Sequence, residues 1–252
     1  MPVTQPVSSA PGRALVVIPA YNEADTIQEV VRRSLPFAPV LVVNDGSRDR
    51  TGELAAAIAG CAVINHPVNT HIPGALLDGF RHALANGYDY AVTMDAGLSH
   101  DPALLGSLLG APPCDLVVTF RETSMNTPWY RRLLSRTAAQ LVNTAIRRQR
   151  WKVWQRGYRD VTSGYRRYSR RAMETVLAAR MACRSFDFHF EALSVVAYAD
   201  LSIHEVPITY TFSNSSLNGR VVRQAFRTWC RLMAGLHRSP KASQRAAPEA
   251  IR

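Results

Sequence analysis

The chain lacks any apolar run close to the roughly 18 residues that a membrane-spanning helix requires. It is also poor in cysteine: four cysteines lie far apart and form no C-x-x-C pair, which argues against a disulfide framework and a zinc site. The first residues are rich in proline and serine and lack the apolar core of a signal peptide. We therefore expect residues 1–12 to be a disordered tail on a cytoplasmic protein.

The remaining composition is that of an ordinary globular protein. Hydrophobic residues make up 47% of the 252 residues, which excludes disorder along the whole chain. That length fits one large domain or two small ones, and no linker-like segment divides it. We expect one domain over residues 13–218, a basic amphipathic helix over residues 219–237 and a disordered tail over residues 238–252.

The charge is distributed unevenly. The net charge is +11, yet residues 120–171 hold 14 basic and 2 acidic side chains, and residues 218–252 hold 8 basic and 1 acidic. Such zones favour nucleic acid, anionic lipid or phosphorylated substrates, and a solvated helix face is the alternative. The arginines are not interleaved with an aromatic stacking platform and no nucleic-acid-binding motif is present, so we expect no nucleic-acid partner.

Strands and helices alternate in the first half. Apolar runs rich in β-branched residues predict buried strands at Ala14–Ile18, Val40–Val43, Ala62–Ile64, Tyr90–Met94 and Leu116–Thr119. One predicted helix follows each of the first four strands, at Thr26–Ser34, Thr51–Ala59, Gly74–Ala85 and Pro102–Leu109. This alternation predicts an α/β fold with a mostly parallel sheet, whose ligands bind beyond the carboxyl ends of the strands.

The second half is more helical. Its predicted helices are Tyr130–Ile146, Arg170–Ala179, Phe188–Tyr198 and Gly219–Leu236, and one strand is predicted at Leu201–Ile208.

Polar residues follow the first two predicted strands. Pro19 ends the first strand, Tyr21 offers a flat ring to stack a base, and Glu23 offers acceptors for a hydroxyl or an amine. Asp45 follows the second strand and can accept from a base N–H or a ribose hydroxyl. Taken singly, these residues are also explained by turn chemistry. Together they indicate a nucleotide pocket.

Asp95 follows the fourth predicted strand, where a carboxylate is well placed to hold a divalent cation against a diphosphate. Asp101 precedes Pro102, the pattern of an N-cap followed by a first-turn proline. His100 is expected to be a surface histidine at a helix end rather than a ligand.

Six motifs have the order and spacing of family 2 glycosyltransferases: PAYNEADTI, VLVVNDGSRDRT, NHPVNTHIPGALLDGFRHAL, YAVTMDAGLSHDP, DVTSGYRRYSRRAM and HEVPITY. From about Ala14 to about Asn218 the chain resembles the branch that transfers sugars to dolichyl or polyprenyl phosphate. The resemblance implies a single nucleotide-binding domain with the A-type glycosyltransferase fold. It also implies an inverting reaction in which an acceptor displaces the nucleoside diphosphate.

The resemblance assigns roles to the residues of the pocket. It implies that Pro19, Tyr21, Glu23 and Asp45 line the nucleoside site. Asp95 matches the first aspartate of the Asp-x-Asp motif that binds Mg²⁺ or Mn²⁺ in the family.

Three features depart from the family pattern. One is Ser215-Ser216-Leu217, where the polyprenyl-phosphate branch tends to have Ser-Lys-Leu, and the loss of that lysine weakens the case for a phosphate acceptor. Gly97 stands where the second metal-binding aspartate is expected, which removes one carboxylate. His71 and Pro73 lie in a loop that usually contains more glycine, so the identity of the donor does not carry over.

The resemblance also bears on the acceptor. It implies that Arg121, Arg131 and Arg132 hold an acceptor phosphate, which pairs well with guanidinium. An ionised phosphate oxygen needs no general base, whereas a hydroxyl acceptor does. Asp187 and Glu191 share one helix face and are the candidate bases, and Glu191 matches an acidic position of the family. Ion pairing with the many arginines is the structural alternative for these carboxylates.

The helix predicted near the C-terminus is amphipathic. Arg223, Arg227 and Arg231 recur every four residues beside an apolar stripe that includes Phe226 and Trp229. This pattern is typical of helices that lie on an anionic membrane surface. The alternative is that the apolar stripe packs on the core of the protein's own domain.

Together these observations predict a cytoplasmic glycosyltransferase, peripheral at the inner face of the membrane. It would move a sugar from a nucleotide-sugar donor to a lipid-linked acceptor, most simply a polyprenyl phosphate. Transfer to a sugar hydroxyl in glycolipid or polysaccharide synthesis is the alternative reaction. Because Gly97 weakens the metal motif, a catalytically weakened sugar-nucleotide-binding protein is a further alternative.

Overall fold

A seven-stranded mixed sheet forms the centre of the molecule. The computed structural model describes residues 12–125, 137–146, 157–179, 181–211 and 219–234. The strands are β1 (Ala14–Ala20), β2 (Val40–Asn44), β3 (Cys61–Asn65), β4 (Tyr90–Thr93), β5 (Leu116–Met125), β6 (Arg166–Ser169) and β7 (Ile203–Thr211). Their order across the sheet is β3-β2-β1-β4-β6-β5-β7. Strand β6 runs antiparallel to both of its neighbours, and the other pairs are parallel.

Helices cover both faces of the sheet. They are α1 (Ile27–Ser34), α2 (Thr51–Ala56), α3 (His71–Ala85), α4 (Leu105–Leu109), α5 (137–146), α6 (Arg170–Ala178), α7 (Asp187–Tyr198) and α8 (Gly219–Met233). A short 3₁₀ turn, Pro102–Leu104, precedes α4. Within the described ranges, none of these helices is long and apolar enough to cross a membrane.

The central strands are apolar throughout because both of their faces are buried. In β1, Leu15 and Val17 join the core that α3, α5, α6 and α7 cover, whereas Val16 and Ile18 join the core under α1, α2 and α4. Successive side chains of a strand point to opposite faces, so a strand between two helical layers must be apolar at every position. The predicted α/β fold with a mostly parallel sheet is therefore confirmed.

Several elements differ in extent from the prediction. β5 continues to Met125, well past Thr119. α3 begins at His71 rather than at Gly74, because Pro73 is tolerated in a first turn, where its missing N–H has no helical partner. Of the helix predicted at Tyr130–Ile146, residues 137–146 are helical and the earlier part lies outside the described residues.

Strand β6 was not predicted, because its sequence RRYS contains no apolar run. Arg166 and Arg167 are fully buried there. The Arg167 guanidinium donates to the carbonyls of Leu108 and Pro112, near the end of α4, at 3.0 and 2.7 Å. The basic zone at residues 120–171 is therefore in part internal, and these two cations are not available to an anionic partner.

The predicted ends of the chain are only partly covered. Residues 1–11 and 235–252 lie outside the described residues, so the two predicted tails stay predictions. The C-terminal helix is observed as Gly219–Met233.

Candidate active site

The loops that follow β1 and β2 are joined into one surface. The Asn22 N–H donates to Ser47 Oγ at 3.0 Å, and Asn22 Oδ1 accepts from the Arg48 N–H at 2.9 Å. The Glu23 N–H donates to Thr51 Oγ1 at 2.8 Å. Asn22 has a φ of 55°, a left-handed conformation that asparagine tolerates better than most residues. These contacts hold the two strand ends together at the ligand-binding edge of the sheet.

Three of the predicted nucleoside-site residues lie at the end of β1 or just after it. β1 continues through Pro19 to Ala20, so Pro19 lies within the strand rather than ending it. The Tyr21 side chain is 43% exposed, as a stacking platform requires. Glu23 Oε2 accepts from Thr26 Oγ1 at 2.8 Å, which ties this carboxylate to the start of α1.

Asp45 lies beyond β2 and is buried, with one carboxylate oxygen fully engaged. Its Oδ1 atom accepts from the Thr70 N–H at 2.8 Å and from Thr70 Oγ1 at 2.7 Å, and it lies 2.8 Å from His66 Nδ1. His66 Nε2 in turn lies 3.1 Å from Asp78 Oδ2. Oδ2 of Asp45 has no hydrogen-bond partner among the described residues, so it is the oxygen available to a ligand.

The segment 69–74, which spans the start of α3, has a strained backbone. His71 has a φ of 63°, in the left-handed region that favours glycine. This is the loop in which the family resemblance predicts more glycine. The departure noted in the sequence therefore coincides with a left-handed backbone conformation that histidine adopts at a cost.

Asp95 lies just beyond β4, with its side chain 42% exposed. β1 lies between β2 and β4, so Tyr21 is placed between Asp45 and Asp95 along the edge. His100 fixes the loop: its Nδ1 accepts from the Asp95 N–H at 3.2 Å, and its ring stacks on Tyr165 at 5.0 Å.

The expectation that His100 lies on the surface was wrong, because the residue is 2% exposed. Burial, together with the positive charge of Arg121, lowers its pKa against the opposing effect of Asp95 and Asp160. The ring is therefore neutral at neutral pH, as its acceptor role requires. Asp101 caps the following turn by accepting from the Ala103 N–H at 3.1 Å, as predicted.

A loop over residues 160–164 closes the site from the far side of β4. Thr93 Oγ1 donates to the Gly164 carbonyl at 2.6 Å and holds this loop against the strand. A Cβ atom at Gly164 would lie 2.9 Å from His189 Nε2 and 3.2 Å from Asp95 Oδ1. Those two atoms are therefore no more than about 6 Å apart, and a larger residue at Gly164 would fill the space beside them.

The space beside Gly164 is a small cleft that is open to solvent. Its walls are formed by Pro19, Ile72, Leu76, Thr93, Met94, Asp95, Gly164 and His189. The walls are mostly apolar, and Asp95 and His189 supply the polar groups that can meet a ligand.

Arg121 lies inside β5, at a register irregularity between Arg121 and Thr123, rather than after the strand as predicted. Irregularities of this kind change the direction of a side chain and recur next to active sites. Arg121 Nε lies 3.5 Å from Asp160 Oδ2, and its side chain is 25% exposed. Because Asp160 begins the 160–164 loop, this contact places Arg121 next to the loop that closes the site. Arg131 and Arg132 lie outside the described residues.

Asp187 and Glu191 lie on one face of α7, as predicted, but that face does not line the cleft. Asp187 Oδ1 accepts from the Ser185 N–H at 2.7 Å, and its Oδ2 accepts from Thr228 Oγ1 at 2.7 Å. Glu191 Oε2 accepts from the Cys183 N–H at 2.8 Å, and burial raises its pKa. Both carboxylates therefore join α7 to neighbouring segments. That either one serves as a base stays a prediction.

His189 is the residue of α7 that reaches the cleft, and the sequence reasoning missed it. It lies two residues from Asp187, about 200° around the helix axis and so on the opposite face. Burial and the nearby Arg166, His100 and Arg121 side chains hold its pKa well below the usual value. The signal was present in the sequence: the run FDFHFEAL places a lone histidine on an otherwise apolar helix face.

Helix α8 is divided between a buried face and an exposed one. Thr228 and Leu232 are buried, and Trp229 Nε1 donates to the Leu141 carbonyl at 3.0 Å. Phe226 is 56% exposed, with Arg223 and Arg227 exposed beside it. Trp229 packs partly against the core, and Phe226, whose ring lies 5.6 Å from that of Trp229, is mostly exposed. Packing of the stripe on the domain is thus observed for Trp229, and membrane binding stays a prediction.

Comparisons with known proteins identify the family of the chain. Residues 15–177 match the model described as glycosyl transferase family 2. The chain is 34% identical over 230 residues to polyprenol monophosphomannose synthase of Mycolicibacterium smegmatis, covering 84% of each chain. It is 29% identical over 228 residues to undecaprenyl-phosphate mannosyltransferase of Micrococcus luteus, covering 84% of this chain and 90% of that one.

The fold is also similar to that of solved structures. Glucosyl-3-phosphoglycerate synthase of Mycobacterium tuberculosis, in complex with Mn²⁺ and UDP-glucose, superposes with a TM-score of 0.63. The two are 22% identical, and the superposition covers 89% of this chain and 79% of that one. The A-type glycosyltransferase fold implied by the resemblance is confirmed. The family match over most of the chain and the relative at 34% identity show that this chain is a glycosyltransferase and belongs to glycosyl transferase family 2.

Proposed function

We propose that the chain transfers a sugar from a nucleotide-sugar donor to a polyprenyl phosphate, with inversion at the anomeric carbon. The observation that carries this proposal is the pairing of opposite charges at one edge of the sheet. Asp95 lines the cleft, and Arg121 of β5 lies 3.5 Å from the Asp160 carboxylate, at the start of the 160–164 loop that closes the site. The names of the mannosyltransferase relatives, which specify polyprenol and undecaprenyl phosphate, support this acceptor class.

The nucleoside of the donor is assigned to the surface formed by the loops after β1 and β2. Tyr21 would stack on the base, and the free Oδ2 of Asp45 would accept from a base N–H or a ribose hydroxyl. Oδ1 of Asp45 already contacts the Thr70 N–H, the Thr70 hydroxyl and His66 Nδ1. These contacts hold the carboxylate in one orientation before the nucleotide arrives. Such preorganisation reduces the entropy that binding has to overcome.

Asp95 is the residue assigned to a divalent cation, Mg²⁺ or Mn²⁺. Within the described residues no cluster of three or more His, Cys, Asp and Glu side chains could hold a metal, and a Cβ at Gly97 would have no atom within 4 Å. A single exposed carboxylate fits a cation that is bound mainly by the donor's own phosphates, as Mg²⁺ often is. When bound there, the cation would neutralise charge on the leaving diphosphate.

The acceptor is assigned to Arg121, with Arg131 and Arg132 as further predicted contacts. A guanidinium can donate two parallel hydrogen bonds to a phosphate and orient one oxygen toward the anomeric carbon. That oxygen is ionised at neutral pH, so no base has to accept a proton. The structural bonds of Asp187 and Glu191 favour this reaction over transfer to a hydroxyl, which would need one of them as a base.

A transfer assay tests the proposal. The purified chain is incubated with a panel of labelled nucleotide sugars and with either a polyprenyl phosphate or the corresponding polyprenol. We expect label to enter the lipid phase with the phosphate alone, and Arg121→Gln to lower this transfer at least tenfold while nucleotide binding is kept. Transfer to the polyprenol, abolished by Glu191→Gln in a folded variant, would favour the hydroxyl reaction. Donor binding without turnover would favour a binding protein.

We further propose that the chain acts as a peripheral protein at the cytoplasmic face of the membrane, held by the exposed face of α8. Phe226 would insert among lipid headgroups, while Arg223 and Arg227 would pair with anionic lipids at about 1 kcal/mol each. Residues 218–252 carry a net positive charge, as binding to an anionic membrane surface requires. The attraction should weaken as salt is raised, because the screening length falls to about 10 Å at 0.1 M.

Two alanine variants of α8 separate membrane binding from folding. Phe226→Ala should reduce co-sedimentation with anionic vesicles and lower the free energy of unfolding by only about 0.5–1.5 kcal/mol, the contribution of its ring contact with Trp229. Leu232→Ala, on the buried face, should cost about 2–5 kcal/mol of stability and leave vesicle binding of the folded protein unchanged. Equal sedimentation of Phe226→Ala and the parent protein would refute this anchor.

A further inference from the structure

His66 follows β3 and is enclosed between the loop beyond β2 and α3. Its side chain is 8% exposed, and its two ring nitrogens face different carboxylates. Nδ1 lies 2.8 Å from Asp45 Oδ1, and Nε2 lies 3.1 Å from Asp78 Oδ2 on α3. Among the described residues Nε2 has no hydrogen-bond partner, so its contact with Asp78 is electrostatic only. The directed bond of this ring is therefore the one that reaches Asp45.

A neighbouring hydroxyl shows which nitrogen of the ring carries a proton. An ionised carboxylate can only accept, so the Thr70 hydroxyl, at 2.7 Å, donates its single proton to Asp45 Oδ1. Thr70 Oγ1 also lies 3.0 Å from His66 Nδ1 and, with its proton already used, can only accept from the ring. Nδ1 thus faces two acceptor oxygens, and such distances are those of a hydrogen bond only if a proton lies between. His66 therefore carries a proton on Nδ1 and donates it to Asp45.

Two glycines permit this close arrangement. A Cβ at Gly46 would lie 2.8 Å from backbone atoms of the 66–70 segment, so a side chain there would push the segment away from Asp45. A Cβ at Gly74 would overlap Thr70 Oγ1, the hydroxyl that donates to the same carboxylate. The imidazole, the hydroxyl and the carboxylate are thus packed together before any ligand binds.

The bond from His66 decides which oxygen of Asp45 is left for a ligand. Thr70 supplies two donors from the start of α3, and His66 supplies the third from the end of β3, so Oδ1 is held from two directions. Without the donor on Nδ1, the carboxylate could rotate about its Cβ–Cγ bond and share both oxygens with the Thr70 donors. That rotation would withdraw Oδ2 from a nucleotide.

We propose that His66 is a positioning residue of the nucleoside site, whose Nδ1–H holds Asp45 with Oδ2 free for the base or the ribose. This inference rests on the proposed function, because it assumes that Asp45 binds the nucleoside of a donor. His66 acts on the nucleotide through Asp45, so the affinity for nucleotide depends on one nitrogen of its ring.

Calorimetric titrations with GDP and with UDP, each in the presence of Mg²⁺, test this role. His66→Leu removes the donor and should weaken binding of the nucleotide that the parent chain binds about tenfold, as the loss of one hydrogen bond would. His66→Asn should stay within about threefold of the parent, because the asparagine amide nitrogen is bonded to Cγ, as Nδ1 is, and can donate to the same oxygen. His66→Gln carries its amide one bond farther from Cα, so it should behave like His66→Leu and replaces that variant if it does not fold.

Asp78→Asn is the matched control, because it changes the group that faces the other nitrogen of the same ring. The Asp78 side chain is 39% exposed and makes no hydrogen bond to Nε2, so this variant should change the affinity less than about twofold. If Asp78→Asn weakened binding as much as His66→Leu, the ring would act through its charge rather than through Nδ1, and the inference would be overturned.

A double-mutant cycle with Asp45→Ala separates positioning from a general effect on the fold. If His66 acts through Asp45, adding His66→Leu to Asp45→Ala should weaken binding less than about twofold further. The same loss with and without the Asp45 carboxylate would overturn the inference, and so would unchanged affinity in His66→Leu. Absence of recovery in a His66→Asn protein that unfolds at the parent Tm would overturn it as well. A parent chain that bound no nucleotide of a wider panel would instead refute the proposed function.

Discussion

The buried guanidinium of Arg166 provides a sharp test of how the site is held together. The side chain is fully buried in β6 and has no carboxylate partner among the described contacts. It donates instead to three backbone carbonyls: Ser163 and Val161, each at 2.8 Å, and His189. One cation thus connects the 160–164 loop to α7, the two segments that form the far wall of the cleft.

Substitution of Arg166 by lysine keeps the positive charge and removes the planar guanidinium with its several N–H donors. A lysine ammonium is a compact point charge, and it cannot reach three carbonyls that are spaced for a planar guanidinium. If two of the three bonds are lost, at about 1.5–3 kcal/mol for each bond to a charged group, the free energy of unfolding falls by about 3–6 kcal/mol. For a chain of this size each 1 kcal/mol lowers Tm by about 2–4 °C, so Tm should fall by at least about 6 °C.

Urea denaturation followed by tryptophan fluorescence measures this change. The matched control is Arg33→Lys, since Arg33 forms an exposed ion pair with Asp101 at 2.5 Å that should contribute less than about 1 kcal/mol. If Arg166→Lys were no more destabilising than Arg33→Lys, the role assigned to the three carbonyl bonds would be refuted.

Three further predictions concern pH, packing and backbone strain. The free energy of unfolding should fall as pH drops below about 6.5, by up to about 1.4 kcal/mol per pH unit for each of His100 and His189. The reason is that both histidines are protonated in the unfolded chain, whereas burial keeps them neutral in the folded chain. Urea titrations at several pH values measure this slope. Gly79→Ala should lower Tm by an amount equivalent to about 1–3 kcal/mol, because the added Cβ would lie 2.3 Å from Val17 Cγ1. His71→Val should cost about 1–2 kcal/mol in chemical denaturation, because a β-branched residue tolerates the observed φ of 63° poorly, whereas His71→Gly should not destabilise.

Each of these predictions has a matched control. Replacing either buried histidine by glutamine should reduce the pH slope. Gly106→Ala should be neutral or stabilising, because its Cβ would meet Phe37 at an ordinary 3.5 Å. A flat pH profile, equal effects of the two alanine variants, or a stable His71→Val protein would contradict the corresponding argument.

The sequence by itself determined the parallel half of the sheet and the edge at which ligands bind. Strands β1 to β4 could be predicted because each is a short apolar run bounded by turn residues, and burial on both faces makes such runs continuous. The placement of Tyr21, Asp45 and Asp95 along one edge also followed from the sequence, because parallel strands bring their carboxyl ends together. The cap at Asp101 depends on local contacts alone and was predicted for that reason.

Only the tertiary structure decided the features that depend on residues far apart in the chain. Strand β6 is polar in sequence and forms a strand because distant carbonyls satisfy Arg166 and Arg167 inside the protein. Periodicity placed Asp187 and Glu191 on one face of α7, but only packing showed that this face meets α8 and the 182–185 segment while His189 faces the cleft. A helical pattern records which residues share a face, whereas the neighbour that covers each face is set by how the whole chain packs.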